Sequence, residues 1–181
     1  TRNFDGTAVL IFQPAEEGGA GGKAMCDDGL MDRWGIQEVY GMHNAPGLPV
    51  GEFEICNGAA LASADEFEIV VTGKGGHAAV PHEAVDTTLV AAHILISLQT
   101  IVARNVDPIK RVVLTVGTFK TDSEASNVIA HSVRMAGTVR TLDPEYRKLA
   151  EERVRRVATD TASAFGASAE VNWDAGYPAT I

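Results

Sequence analysis

The stretch that decides the fold covers residues 111–145 and reads RVVLTVGTFKTDSEASNVIAHSVRMAGTVRTLDPE. Apolar and polar residues alternate near both of its ends, which predicts strands at 111–120 and 132–141. The Asp-Pro pair at 143–144 is typical of a helix start, because aspartate caps free backbone amides and proline fits the first helical turn. The sequence therefore predicts two successive strands followed by a helix.

The flanking segments complete a recognisable order of elements. The helix that starts at Pro144 is predicted to run to Phe165, and a final strand follows at Ala169–Trp173. Upstream, alternation predicts a strand that ends at Gly73, and a long helix spans about Val85–Ala103. The order β-α-β-β-α-β is that of the ferredoxin-like plan, in which two helices cover one face of a four-stranded antiparallel sheet.

The first 62 residues have a different, α/β character. A short helix is expected near Lys23–Asp28. A strand buried on both faces is expected at Thr7–Phe12, and two further strands are expected at Glu38–His43 and Gly51–Cys56. We therefore predict an α/β portion over 1–62, a ferredoxin-like α+β domain over 63–175, and a connecting segment over 176–181.

Composition excludes several classes of protein. A hydrophobic fraction of 45% and a charged fraction of 22% are typical of a globular domain. The net charge of −9 opposes binding to nucleic acid or to anionic lipid, and neither is expected as a partner. We expect no membrane span, since the apolar stretch Leu89–Val102 is interrupted by polar residues. Cys26 and Cys56 are too few for a disulfide framework, so free thiols and a cytoplasmic location are expected.

Adjacent acidic residues follow the first predicted strand in the sequence QPAEEGG, residues 13–19. A phosphate-binding loop is disfavoured here, because two carboxylates would repel phosphate. On a bend, neighbouring side chains point apart, so one of Glu16 and Glu17 could bind a cation while the other faces the attacking water. His43 ends the next predicted strand, and carboxylate with imidazole suits zinc, manganese or cobalt. A solvated acidic loop and a structural histidine are the alternatives.

Five motifs in order then resemble a known enzyme family. They are QPAEEGGAGGKAMCDDGL, YGMHN, VTGKGGHAAVPH, SNVIA and GTVRTLD, which begin at residues 13, 40, 71, 126 and 137. Together they resemble the zinc-dependent peptidases and amidohydrolases that include hippurate hydrolase, N-acyl-amino-acid amidohydrolase, auxin-conjugate hydrolase and carboxypeptidase G. The resemblance implies hydrolysis of the amide bond of an N-acyl amino acid or a similar small conjugate.

The resemblance also implies roles for individual residues. Glu16 matches the general base, while Glu17 and His43 match ligands of a two-metal centre that holds zinc or else manganese, cobalt or nickel. His77 matches a histidine that reaches across a homodimer to polarise the scissile carbonyl. Two further residues match groups that hold the substrate and its free carboxylate, namely Asn127 and Arg140. The ferredoxin-like domain would be the lid through which the family dimerises.

The chain departs from the family pattern in one important way. The other metal ligands of the family lie upstream and far downstream of these motifs, and the sequence contains neither segment. The sequence also starts at Thr1 without an initiator methionine. We therefore expect a piece of a longer enzyme. The alternative hypothesis is a non-catalytic module for dimerisation or ligand binding.

Overall fold

The computed structural model describes residues 5–16 and 18–181. The chain divides into two compact units, Thr1–Ile55 and Cys56–Ile181. The domain limits expected from the sequence, 1–62, 63–175 and 176–181, stay a prediction.

The first unit contains two short helices. Helix α1, Gly21–Asp27, lies where the sequence predicts a helix, and helix α2, Leu30–Trp34, was not predicted. Glycine is required at the start of α1, because a Cβ atom on Gly21 would lie 1.7 Å from the carbonyl oxygen of Pro14. The backbone of Pro14 thus lies closely against the first turn of this helix.

The three strands predicted in the first unit are wrong for the residues that are described there. The segments 7–12, 38–43 and 51–55 form no strand, and the side chains of Phe12, Tyr40 and Ile55 are 85%, 86% and 92% exposed. A strand is held by hydrogen bonds to a neighbouring strand, and these segments pair with none in the described structure. Their apolar pattern indicates side chains suited to burial, but the pattern does not identify a neighbouring strand with which they could pair.

The second unit is built on a four-stranded antiparallel sheet. Its strands are β1 (Asp65–Thr72), β3 (Val112–Thr121), β5 (Ser132–Thr141) and β6 (Ser168–Ala175), in the order β3-β5-β1-β6. Strand β1 pairs along its whole length with β5 and with β6, and β3 pairs with β5. Strand β3 is therefore an edge of this sheet.

Two long helices cover one face of the sheet. Helix α3 spans Thr87–Thr100 and continues into a π-helical turn, Ile101–Asn105, while α4 spans Pro144–Ala164. The side chain of Asp86 accepts hydrogen bonds from two amides at the start of α3, and that of Asp143 accepts one, from the amide of Glu145, at the start of α4. The main-sheet strands and long helices thus follow the predicted β-α-β-β-α-β order.

Alternate residues of the strands form the core with the two helices. The strands contribute Phe67, Ile69, Val71, Val133, Met135 and Val139, and the helices contribute Val90, Ile94, Leu98, Val154 and Ala158. Because side chains alternate across a strand, the intervening residues lie on the opposite face of the sheet. That second face is not covered by α3 or α4.

Helix α3 and its π-helical turn form a 19-residue helical segment, Thr87–Asn105, that is long and apolar enough to cross a membrane by length and composition. This corrects the expectation that no stretch of the chain meets that criterion. Several of its side chains, including Ile94 and Leu98, are fully buried in the core described above. Packing against the sheet therefore accounts for its apolar character.

The two chain segments that lead into and out of the sheet lie side by side. The amide of Ala60 donates to the carbonyl oxygen of Thr180 at 2.8 Å, and the amide of Ala64 donates to that of Tyr177 at 2.9 Å. Next to them, the guanidinium of Arg147 donates to both carboxylate oxygens of Asp65, at 2.6 and 2.7 Å. Asp65 is fully buried, so this ion pair fixes the end of the sheet at which the connecting segments enter.

Candidate functional site

Two short strands from distant parts of the chain pair antiparallel, like the arms of a hairpin but without a connecting turn. Strand β2, Gly76–His77, pairs antiparallel with β4, Val128–Ile129, and His77 is opposite Val128. This pair, called the β2–β4 hairpin, carries the histidine expected to contact the substrate. The amide of Ala79 donates a hydrogen bond to Nδ1 of His77 at 3.1 Å. A ring nitrogen that accepts this bond carries no proton, so the neutral imidazole holds its proton on Nε2. His77 therefore presents an N–H donor.

Asn127 lies beside His77 in the same hairpin. The amide of Ala78 donates to the carbonyl oxygen of Asn127 at 3.0 Å, which ties together the two segments that carry the predicted residues. The Asn127 side chain is exposed and makes no hydrogen bond within residues 5–16 and 18–181. An imidazole N–H and a free amide group on one edge are suited to bind a single carbonyl oxygen.

The hairpin is held to helix α3 and to the chain segments that adjoin the main sheet at several points. The Thr87 hydroxyl at the start of α3 is buried and donates to the carbonyl oxygen of Ala130 at 2.8 Å. The amide of Gly73 donates to the carbonyl oxygen of His131 at 3.0 Å, and the amide of Val85 donates to that of Lys74 at 2.8 Å. These bonds connect both ends of the β2 segment to neighbouring elements.

A shallow cavity of about 440 Å³ adjoins the hairpin. Its walls include His77, Val128 and Ile129 from the hairpin, together with Asp122 and His131. His77 therefore borders an open space in which a small group could be bound.

Arg140 lies far from this hairpin, on the face of the sheet that the helices leave open. It is exposed and makes no ion pair within the described part of the chain. Arg134 lies on the same strand and the same face, but its guanidinium is bound to the carboxylate of Glu68 at 2.6 Å. Of these two arginines, Arg140 is thus the one available to a carboxylate from outside.

The separation between Arg140 and the hairpin follows from the strand geometry. Strand β5 begins at Ser132, close to the hairpin, and Arg140 is eight residues further along. At about 3.3 Å per residue the two ends of this strand are roughly 26 Å apart. His77 and Arg140 of one chain therefore cannot bind the same small molecule.

The acidic loop of the first unit has an unusual backbone. Ala15, directly before Glu16, has φ of 48°, and Ala20 has φ of 53°. Residues with side chains rarely occupy this left-handed region, and such conformations are concentrated at functional sites. Glu16 is exposed in this bend. Glu17, the predicted metal ligand, lies outside the described residues.

His43 has the tautomer that a metal ligand needs. Its Nδ1 lies 2.7 Å from the carbonyl oxygen of Asn44, and a carbonyl can only accept, so Nδ1 carries the proton. The lone pair of Nε2 is then free, and histidines that bind metals commonly donate their other N–H to a carbonyl in this way. Within the described ranges, no three His, Cys, Asp or Glu side chains lie close enough to hold a metal ion. The metal site stays a prediction.

Sequence reasoning missed the β2–β4 hairpin and the contacts of Asp122. Two-residue strands are too short for an alternating pattern, so no periodicity marks Gly76–His77 or Val128–Ile129. A signal existed in the glycines before His77, since a Cβ atom on Gly75 would lie 3.0 Å from the carbonyl oxygen of Ile129. Close approach of two backbones is a frequent reason for glycine in a strand.

Comparison with known proteins matches the whole chain to one family model. The model is described as Peptidase family M20/M25/M40 and matches residues 1–181. The N-acetyl-L-cysteine deacetylase of Bacillus subtilis is 42% identical over 97% of this chain and 42% of its own length. The hippurate hydrolase of Campylobacter jejuni is 38% identical over 100% of this chain and 47% of its own length. The chain thus spans less than half the length of these relatives.

Solved structures of other proteins also superpose on this chain, and one of them is described as a member of the M20 family. A chain from methicillin-resistant Staphylococcus aureus superposes with a TM-score of 0.85 at 30% identity, and covers 92% of this chain and 44% of that one. A Bacillus subtilis protein described as a dinuclear metal binding peptidase of the M20 family superposes with a TM-score of 0.71 at 34% identity. The superposition covers 93% of this chain and 41% of the Bacillus subtilis protein.

Proposed function

The chain belongs to the M20/M25/M40 peptidase family, and from this membership we propose that the complete protein hydrolyses the amide bond of small N-acyl amino acids. The curated relatives are hydrolases named for N-acetylcysteine, N-acetyldiaminopimelate and hippurate, each of which is an N-acyl amino acid. The observation that carries the proposal is the hairpin in which His77, with its proton on Nε2, lies beside the free side chain of Asn127.

The first unit can supply some of the ligands of a metal centre. His43 has a free Nε2 lone pair, and we propose that it and Glu17 hold one or two divalent cations together with ligands from the rest of the protein. Such cations would lower the pKa of a bound water to about 7 and polarise the scissile carbonyl. The relative described as a dinuclear metal binding peptidase supports two ions.

The side chains of this chain would then divide the reaction between them. Glu16 accepts a proton from the attacking water and later delivers it to the leaving nitrogen. The Nε2–H of His77 and the amide of Asn127 donate to the carbonyl oxygen as negative charge develops on it. Arg140 binds the free carboxylate of the substrate through two parallel hydrogen bonds.

The strand geometry requires two copies of the chain for one active site. Only three covalent bonds separate the amide carbonyl carbon of an N-acyl amino acid from its carboxylate carbon, whereas β5 spans roughly 26 Å between the hairpin end and Arg140. We therefore propose that a substrate bound by Arg140 of one subunit receives His77 and Asn127 from the partner. The protein would act as a homodimer.

The second unit has a surface suited to such a dimer. We propose that it is the ferredoxin-like lid of the family, which the strand order β3-β5-β1-β6 supports. Helix α3 carries no charged side chain, and its outward-facing Leu89 and Ile96 are 52% and 66% exposed. Helix α3 contacts β1, β5 and β3, whereas α4 contacts β6 and β5, so α3 lies toward the edge strand β3. An exposed apolar helix face and an unpaired strand edge both favour pairing of two copies.

The test uses the complete, metal-loaded protein and two inactive variants. His77→Ala and Arg140→Met are purified separately and then mixed under conditions that exchange subunits, with N-acetylcysteine and hippurate as substrates. At substrate concentrations well below KM, each variant alone should have no more than about a tenth of the wild-type activity. In a random mixture about half of the dimers are mixed, and one of their two sites is intact, so activity should return to about a quarter of the wild-type value.

Three outcomes would refute different parts of the proposal. A wild-type protein that binds metal but hydrolyses no N-acyl amino acid would refute the activity and favour a non-catalytic module. Full activity of either variant alone would refute the role of that residue. A mixture that stays inactive, although subunit exchange is demonstrated by mass spectrometry, would refute the shared site.

A further inference from the structure

We propose that Asp122 is a positioning residue that holds the β2–β4 hairpin, and with it His77 and Asn127, in the geometry needed to bind the substrate carbonyl. This inference rests on the function proposed above. Asp122 follows the last residue of β3, Thr121, and no motif of the family resemblance includes it.

The carboxylate of Asp122 closes the loop that carries Asn127. Its Oδ1 accepts from the amide of His131 at 3.1 Å. Its Oδ2 accepts from the amide of Ser132 at 3.1 Å and from the Ser132 hydroxyl at 3.2 Å. The amide of Asp122 in turn donates to the carbonyl oxygen of Ser132 at 3.1 Å. One side chain thus joins the two ends of the loop at 123–131.

The bonds inside the loop pass this restraint on to the hairpin. The amide of Val128 donates to the carbonyl oxygen of Ala125, and the amide of Ala78 donates to that of Asn127. Because His77 is paired directly with Val128, a shift of the loop moves the imidazole as well as the Asn127 amide. The described hydrogen bonds thus link Asp122 to both donors through the backbone of the loop.

The exposure of Asp122 separates its role in the loop from any role in the hydrophobic core. Asp122 is an exposed residue, so the apolar core does not require it. Its three acceptor contacts all go to His131, the last residue of the loop at 123–131, and to Ser132, which begins β5. A carboxylate that binds two backbone amides and a hydroxyl restricts these groups more strongly than a neutral acceptor would. The role that remains for Asp122 is to fix the loop at 123–131. A fixed loop allows His77 and Asn127 to donate to the same carbonyl oxygen.

The test compares Asp122→Ala with a matched control, Asp107→Ala, in the complete metal-loaded protein. Asp107 also accepts a hydrogen bond from a loop amide, that of Ile109 at 3.1 Å, but in the loop before β3. Asp122→Ala should lower kcat by about 10- to 100-fold, because small displacements of catalytic donors cost rates of this size. KM for a carboxylate substrate should change little, since Arg140 is unaffected. Asp107→Ala should keep kcat within about threefold.

A double-mutant cycle separates positioning from general damage. In an Asn127→Ala, His77→Ala background the further change Asp122→Ala should have almost no effect on the residual rate, because the groups it positions are gone. Hydrogen exchange of the Ala78 and Val128 amides should accelerate in Asp122→Ala, while the amides of β1 keep their protection.

The outcomes are distinguishable. If the wild-type protein hydrolyses N-acyl amino acids and Asp122→Ala has the same kcat, the positioning role is wrong and the proposed function stands. If Asp122→Ala lowers the rate equally in the double-variant background, Asp122 acts elsewhere and the inference is wrong. If the wild type is inactive, the proposed function fails, and unchanged exchange at Ala78 would also refute the structural part of the inference.

Discussion

Replacement of Arg140 by methionine offers the sharpest test of substrate recognition. Arg140 is exposed and has no ion-pair partner in the described ranges, so its loss should change the free energy of unfolding by less than about 0.5 kcal/mol. A charged hydrogen-bonding group contributes about 1.5–3 kcal/mol. Since 1.4 kcal/mol corresponds to a factor of ten, kcat/KM should fall by about 10- to 150-fold. The loss should appear mainly in KM, because the carboxylate is bound equally in substrate and transition state.

The assay measures hydrolysis of an N-acyl amino acid and of its C-terminal amide, which lacks the carboxylate. Arg140→Met should reduce kcat/KM for the first substrate and leave kcat/KM for the second nearly unchanged. The matched control is Arg134→Met, on the same strand and face. Arg134 is exposed and bound to the partly buried Glu68, and loss of this surface pair should cost about 1 kcal/mol of stability. Equal losses for both substrates, or equal effects of both variants, would refute the reasoning.

Two further predictions concern stability of the second unit. Arg147→Met should lower the free energy of unfolding by about 3 kcal/mol in urea titration, because it leaves the buried carboxylate of Asp65 unpaired; a change below about 1 kcal/mol would contradict this role. The hydrogen bond from Lys110 holds the pKa of Asp143 below its usual value, helped by the backbone amide of Glu145. A lowered folded-state pKa gives stability that is present above the unfolded value, about 3.9, and is lost as the pH falls through the lower folded value. Lys110→Met should therefore weaken the pH dependence of thermal unfolding below about pH 4, and an unchanged acid limb would count against the pair.

The second unit could be predicted from the sequence because its signals are local and agree with one another. Alternation in 132–141 gives the bounds of β5, Ser132–Thr141, without error. The helix that begins at Pro144 ends at Ala164, one residue from the predicted end. In β5 the buried Val133, Met135 and Val139 are the alternating apolar residues, so local propensity and packing favour the same structure. In α4 the buried residues are Ala150, Val154, Ala158 and Ala162, which follow one another at helical spacing.

The first unit shows where such reasoning fails. The run TAVLIF at 7–12 has the composition of a buried strand, yet its side chains are mostly exposed and it pairs with nothing described. An apolar composition indicates side chains that a strand could bury. It does not identify the neighbouring strand, which must come from elsewhere in the chain or the assembly. The same limit applies to the predicted metal site. The sequence argument brings Glu16 and His43 together through neighbouring parallel strands, and the described residues form no such strands.

The contrast between Arg140 and His77 explains why a unit without a described metal site carries so many candidate residues. A four-stranded sheet is rigid along its strands, so the length of β5 fixes a separation of roughly 26 Å between its two ends. One end carries Arg140 next to the connecting segments at 60–64 and 177–180, and the other carries the hairpin with His77 and Asn127. If all three residues contact one substrate, each copy of the sheet serves two different sites. The sheet then acts as a spacer whose length, rather than its surface chemistry, makes the dimer a condition for catalysis.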